Sequence, residues 1–274
     1  MVPSRPGRWS TGGGRLASVS FEVAADAYQR FMGRYSDQLA VAFADLAGVA
    51  GGQRALDVGC GPGALTAELV RRLDAGAVSG AEPSASFAAA VRLRLPGVDI
   101  RQAPAERLPF ADDAFDVALA QLVVHFMTDP VAGLREMSRV TKVGGTVAAC
   151  VWDHAGGRSP VGPFWRSARE LDPAADNESA LPGARDGDLA RLFTEAGLSD
   201  VRVGTLSVSA SYDSFEEWWE PYTTGVGPAG AYVATLDADH RTALRERCHT
   251  LYPTAPFTIT ATVWACTSQV NAKT

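Results

Sequence analysis

"LDVGCGPGALTAELV", residues 56–70, decides how the rest of the chain is read. A short apolar run carrying Asp57 leads into glycines at 59, 61 and 63. Leu65, Leu69 and Leu73 then recur at the spacing of one helix face. A strand, a glycine-rich turn and a helix are predicted in that order. Glycines at such a turn let backbone approach a ligand closely and aim amide N–H groups at it. Gly59, Gly61 and Ala64 also satisfy the GxGxxG/A dinucleotide fingerprint. No lysine and Ser/Thr pair closes the loop, which excludes a P-loop.

Working back from this stretch, residues 1–20 carry arginines and glycines but no continuous apolar run. They read as a flexible tail and not as a secretory signal. Residues 21–50 are predicted to form a helical cap, with Tyr28, Phe31, Met32 and Tyr35 on one face and Leu39, Val41, Phe43 and Leu46 continuing it. Gly51 and Gly52 end it.

Working forward, strands are expected at 77–82, 98–103, 115–122 and 146–152. Helices lie between them. Ser84 is placed to cap one helix and Asp129-Pro130 to open another, which Gly144-Gly145 stops. Strands alternating with helices imply a parallel sheet covered on both faces. Residues 154–188, rich in Gly, Pro, Asp and Ala, read as a lid-like insertion over the ligand edge of that sheet. A helical face at 189–196 follows, then a long strand at 200–212, bulged near Gly204. Ser214 begins a capping box and a helix bearing Trp218, Trp219 and Tyr222. Residues 224–230 read as a mobile rim and 239–251 as a helix. Residues 256–266 alternate strictly, which points to an antiparallel strand pair at one edge. Residues 21–274 form a single domain in this reading.

Of the 274 residues, 46% are hydrophobic and 20% charged, enough for a sizeable core. Net charge is -6, without basic blocks, which argues against nucleic acid as a partner. Cys60, Cys150, Cys248 and Cys266 form no CxxC pair, so neither a metal site nor a redox pair is expected. Reduced cysteines fit a cytoplasmic protein. No run of ~18 apolar residues exists, so no membrane span is expected.

The ligand of the glycine loop is narrowed by its neighbours. Asp57, two residues before the first glycine, suits a positive group such as an amino-acid ammonium and is a poor neighbour for a pyrophosphate. Glu82, at the end of the second strand, can take two ribose hydroxyls of either kind of nucleotide. A nicotinamide-dependent oxidoreductase therefore stays open at this point.

"LDVGCGPG", "GAEPS", "AERLPFADDAFDVALAQLVVHF" and "EMSRVTKVGGTVAACVW" together resemble the successive motifs of class I S-adenosylmethionine-dependent methyltransferases, in the small-molecule, type 11-like branch. The resemblance covers residues 22–152 and more loosely the rest. It implies a Rossmann-like α/β three-layer sandwich, with a seven-stranded, mostly parallel sheet whose last strand is antiparallel. It implies S-adenosylmethionine as cofactor and S-adenosylhomocysteine as product. Carried over by residue, it implies that Asp57, Gly59 and Gly61 hold the methionine part and that Glu82 binds the ribose. Pro83 lies beside the adenine, Ala105 and Glu106 at its edge, and Gln121 offers its backbone near the amino group. Tyr28 and Arg34 stand where a helix closes over the cofactor. Pro104 departs from the pattern, since similar proteins often carry an aspartate there.

In open α/β sheets the ligand lies off the carboxyl ends of the strands. His125, beyond the fourth strand, and Asp153 and His154, beyond the fifth, are therefore the candidate bases. Trp152, Phe164, Trp165, Trp218, Trp219 and Tyr222 are the candidate lining of an apolar pocket for a small-molecule substrate. The leading expectation is methyl transfer to O, N or C of such a molecule. A protein on the same fold that uses the cofactor without transferring its methyl group is the alternative from another class.

Overall fold

The computed structural model describes residues 32–175, 178–225 and 227–272. The expected tail, Tyr28 and the first third of the helical cap lie outside them. A seven-stranded sheet runs in the order β3-β2-β1-β4-β5-β7-β6. Its strands are β1 (Ala55–Val58), β2 (Val78–Ala81), β3 (Asp99–Arg101), β4 (Phe115–Gln121), β5 (Thr141–Trp152), β6 (Arg202–Tyr212) and β7 (Phe257–Gln269). The first five are parallel. β7 enters between β5 and β6 and is antiparallel to both. The three-layer, mostly parallel architecture expected from the sequence is the one observed.

Alternate strand residues face opposite layers. Val117, Leu119, Ala148 and Cys150 face one core, together with α1 (Arg34–Leu46), α2 (Ala64–Leu73) and α3 (Ala85–Arg94). Leu56, Val58, Ala118, Ala120, Val147 and Ala149 face the other, against α4 (Pro130–Val140) and α6 (Asp188–Glu195). Fully buried side chains such as Leu39, Phe43 and Leu134 each contribute roughly 1.5–3 kcal/mol. Between α4 and α6 along the chain lies α5 (Gly162–Leu171). After β6 come α7 (Phe215–Thr223), α8 (Gly227–Thr235) and α9 (Ala238–His249).

The helix starts are local and chemical. Ser84 accepts from the Phe87 amide, Asp129 from that of Ala132 and Ser214 from that of Glu217. Each side chain satisfies an amide that the first helical turn leaves without a partner. Several expectations need correction. Val41 and Leu46 lie on the exposed side of α1, at 42% and 41% exposure, because the buried stripe runs through Tyr35, Leu39, Ala40 and Phe43. Gly144-Gly145 does not separate a helix from a strand. α4 ends at Val140, and the pair sits in a wide bulge of β5, where two steps of β4 are matched by five of β5. A Cβ on Gly145 would lie 2.6 Å from the Asp116 carbonyl. β6 has no bulge at Gly204, since its register with β7 is unbroken from Arg202 to Tyr212. The alternation slips there because the first residues of this edge strand are exposed. Much of the expected rim at 224–230 is helical, being the start of α8.

Candidate functional site

The strand order reverses between β1 and β4, and such a switch point opens a crevice at the carboxyl ends. A cleft of about 250 Å3 lies there. It takes residues from the loop after each of the first four strands: Asp57 to Leu65, Glu82 to Phe87, Pro104 to Glu106, and Gln121 to Thr128. Ser36 of α1 completes it. Asp57, Gly59, Gly61, Glu82, Pro83, Ala105, Glu106 and Gln121, singled out from the sequence, all line this one space.

The loop is pinned to β2. Gly59 and Cys60 donate their amides to the Ala81 carbonyl at 2.8 and 3.1 Å. Glu82 accepts from the Gly61 amide through Oε2 and from the Ser84 amide through Oε1, both at 2.8 Å. Burial holds the Glu82 carboxyl above its ordinary range, against the pull of these two amides. Asp57 follows Ala55 on the strand face under α2, and its Oδ2 accepts from the Thr66 hydroxyl at 2.6 Å. Burial pushes the Asp57 carboxyl up to about 7. The Thr66 hydroxyl opposes that shift, and the nearby Glu82 charge adds to it. Thr66 was not read from the sequence, although its place in the first turn after the glycines is the signal that could have found it.

Glu106 Oε1 accepts from the Asp129 amide at 3.1 Å, which ties the β3 and β4 loops together. Gln121 donates its Nε2 to the Ser36 carbonyl of α1 at 3.1 Å. Its Oε1 is buried without a partner among the described residues. Leu122, next in the chain, has a φ of 61°. A non-glycine residue held in that region beside a cleft is characteristic of functional sites.

The other expected residues lie elsewhere. Arg34 does not line the cleft: it donates to the Ser211 carbonyl and to Glu217, and lies over the Tyr212 ring. Trp152 is a core residue, edge-on to Tyr35. Phe164, Trp165, Trp218, Trp219 and Tyr222 are all buried and pack on one another, with Phe164 stacked on Tyr222 at 4.6 Å. They join the 154–188 insertion to α7, and none lines the cleft. Asp153 accepts from Arg158 at 2.5 Å and from the Gly156 amide at 2.8 Å, so its carboxylate holds a turn. His125 and His154 stand ring to ring at 5.8 Å, and Phe126, which lines the cleft, lies 3.9 Å from the His125 ring. Burial keeps both imidazoles neutral, His154 at about 4.

A methyltransferase-domain model matches residues 56–149. A methyltransferase of Schizosaccharomyces pombe is 36% identical over 118 residues, covering 36% of this chain and 42% of that protein. The demethylmenaquinone methyltransferase of Roseiflexus castenholzii is 32% identical over 178 residues, covering 58% of this chain and 73% of that protein. The chain belongs to the class I S-adenosylmethionine-dependent methyltransferases. It spans less than half of the yeast methyltransferase it matches. The fold of a methyltransferase from Bacillus halodurans superposes with a TM-score of 0.54 at 14% identity, over 85% of this chain and 99% of that one.

The cofactor of this methyltransferase family is S-adenosylmethionine, and the residues present suit it. A buried carboxylate and an unpartnered amide oxygen suit an ammonium. A second carboxylate at the end of β2 suits vicinal hydroxyls. Glu82 suits either nucleotide, but Asp57 opposes a pyrophosphate, and the family is one that uses S-adenosylmethionine, which sets the nicotinamide alternative aside. The four cysteines are free and buried. No helix among the described residues is long and apolar enough to cross a membrane.

Proposed function

We propose that this chain transfers a methyl group from S-adenosylmethionine to O, N or C of a small, partly apolar organic molecule. The observation that carries this reading is the single cleft that gathers eight residues from four loops at the switch point. Asp57 and the Gln121 side chain would receive the ammonium, with the Gly59 and Gly61 backbone along the methionine part. Glu82 would accept from the ribose hydroxyls through the lone pairs that its two amide partners leave open. Pro83, Ala105 and Glu106 would border the adenine. Pro104 brings no acceptor to the adenine amino group, so that contact falls to backbone.

When bound, the cofactor supplies a sulfonium-activated methyl carbon, whose C–S bond breaks toward sulfur as the acceptor's lone pair bonds the carbon. The protein's share is proximity and orientation. A proton lost from an acceptor hydroxyl passes to water. The Roseiflexus relative is named for demethylmenaquinone, which supports a flat, partly apolar acceptor here.

Titration calorimetry with S-adenosylmethionine, S-adenosylhomocysteine and NADH tests the site. Binding of the first two without the third is expected. Release of S-adenosylhomocysteine across a panel of phenols and quinols then tests transfer. Binding without release across the panel would favour the non-methylating use of the cofactor.

A further inference from the structure

Thr66 bears on the cofactor cleft without lining it. It lies fully buried in the first turn of α2, behind Asp57, which does line the cleft. Its hydroxyl donates to Asp57 Oδ2 at 2.6 Å, within the short range of hydrogen bonds to an ionised oxygen. α2 starts at Gly63, which has no side chain to cap it. Asp57 therefore stands at the positive end of a helix whose first amides have no intrahelical partner, a favourable place for a carboxylate.

We propose that Thr66 is a positioning residue of the cofactor site, whose hydroxyl holds Asp57 by Oδ2 so that Oδ1 is presented to the ammonium of S-adenosylmethionine. This inference rests on the cofactor assignment above. The same bond governs when the acid is charged. Burial pushes the Asp57 carboxyl up to about 7, and the Thr66 hydroxyl is the largest influence against it. Glu82, at the end of β2, pushes Asp57 further up. The Cys60 thiol in the loop is itself held well above its usual range, chiefly by burial, and stays uncharged. Gln121 of β4 and Ser36 of α1, which line the same cleft, carry no charge. Thr66 is thus the group through which α2 sets both the direction and the charge of Asp57.

The test is calorimetric titration of the full chain with S-adenosylhomocysteine from pH 5 to 8.5, on wild type and on T66V, T66A and T66S. Without the hydroxyl, the Asp57 transition should move up by about one pH unit. T66V and T66A should then bind about tenfold more weakly than wild type at pH 6, and less than about twofold more weakly at pH 8.5. T66S keeps a hydroxyl and should follow the wild-type profile. The ligand's own ammonium titrates alike for every variant, so differences between the profiles belong to the protein. A loss of equal size at every pH would make Thr66 a packing residue and overturn the inference, as would no loss at all.

Denaturant melts of the ligand-free chain read the same transition independently. Wild-type stability should fall with rising pH and level off near 7, because the native chain keeps a proton that the unfolded chain has lost. In T66V the fall should continue to about pH 8. In a D57N background T66V should shift nothing, which separates Asp57 from Glu82. If S-adenosylhomocysteine binds but neither profile moves, the role of Thr66 alone fails. If it binds at no pH while the melts shift as expected, the cofactor assignment fails and the Thr66–Asp57 link stands.

Discussion

Glu82 Oε2 accepts a hydrogen bond from the Gly61 amide, 21 residues earlier in the chain, at 2.8 Å. One carboxylate thus shapes the glycine loop and faces the cleft. Glu82→Ala removes the acceptor of two amides and of the expected ribose bonds. Affinity for S-adenosylhomocysteine should fall about 10- to 100-fold, since hydrogen bonds to a charged group contribute ~1.5–3 kcal/mol. The circular dichroism spectrum should remain that of the wild type. Calorimetry showing unchanged affinity would remove Glu82 from the ribose.

Asp57 makes the site sensitive to pH. Its carboxyl is pushed up to about 7 from an ordinary 3.8. Between these values the native chain holds a proton that the unfolded chain has lost, so the Asp57 contribution to stability falls as pH rises and levels off above about 7. Glu82, also raised by burial, adds a slope of the same sign. An ammonium ligand needs the ionised carboxylate, so cofactor affinity should rise with pH up to about 7 and then level. Asp57→Asn should flatten its share of both profiles. Thermal melts and titrations from pH 5 to 8.5 check this, and a flat wild-type affinity profile would contradict it.

Two glycines of one loop should fail in different ways. A Cβ on Gly59, at φ 68°, would lie 2.3 Å from Val123 Cγ2, whereas one on Gly61, at φ 51°, meets nothing within 4 Å. Gly59→Ala should therefore cost roughly 2–4 kcal/mol of stability, through strain and overpacking together. Gly61→Ala should cost only about 1–2 kcal/mol but place its methyl in the cleft and abolish binding of S-adenosylhomocysteine. Denaturant melts beside calorimetry separate the two. Equal stability losses would mean that the loop is not packed on Val123 as described.

Asp153 is held by Arg158 and the Gly156 amide, which is the geometry of a structural carboxylate. Asp153→Asn should cost about 1–3 kcal/mol of stability and leave the pH profile of turnover with its wild-type shape. A loss of kcat of about 100-fold, the scale of a general base, together with an altered profile, would return Asp153 to that role.

What could be read in advance from the chain was local. Glycines at 59, 61 and 63, Glu82 at a strand end, and the caps Ser84, Asp129 and Ser214 announce themselves within a few residues; the glycines turn the chain at positive φ, and each cap accepts from a first-turn amide. What stayed hidden depends on partners distant in sequence. Arg34 points to a cofactor only until Glu217, 183 residues on, is seen to hold it. The wide bulge at Gly144-Gly145 exists because β4 runs beside it, which no periodicity within β5 records. Trp218 reads equally well as pocket or packing, and only its burial in the aromatic cluster decides for packing. His125 and His154 are brought together by neighbouring strands, so their pairing is a product of sheet order.

The position of β7 also has a consequence for synthesis. Among the described strands β6 pairs only with β7, and β7 lies between β6 and β5. A nascent chain released only as far as residue 256 therefore leaves the side of β5 that β7 will occupy open and β6 without a ladder, however well the first five strands have already paired. Completion of the sheet is a single late event that adds two strands at once, and a ribosome-bound chain should stay sensitive to protease across 202–212 until residues 257–269 have cleared the exit tunnel.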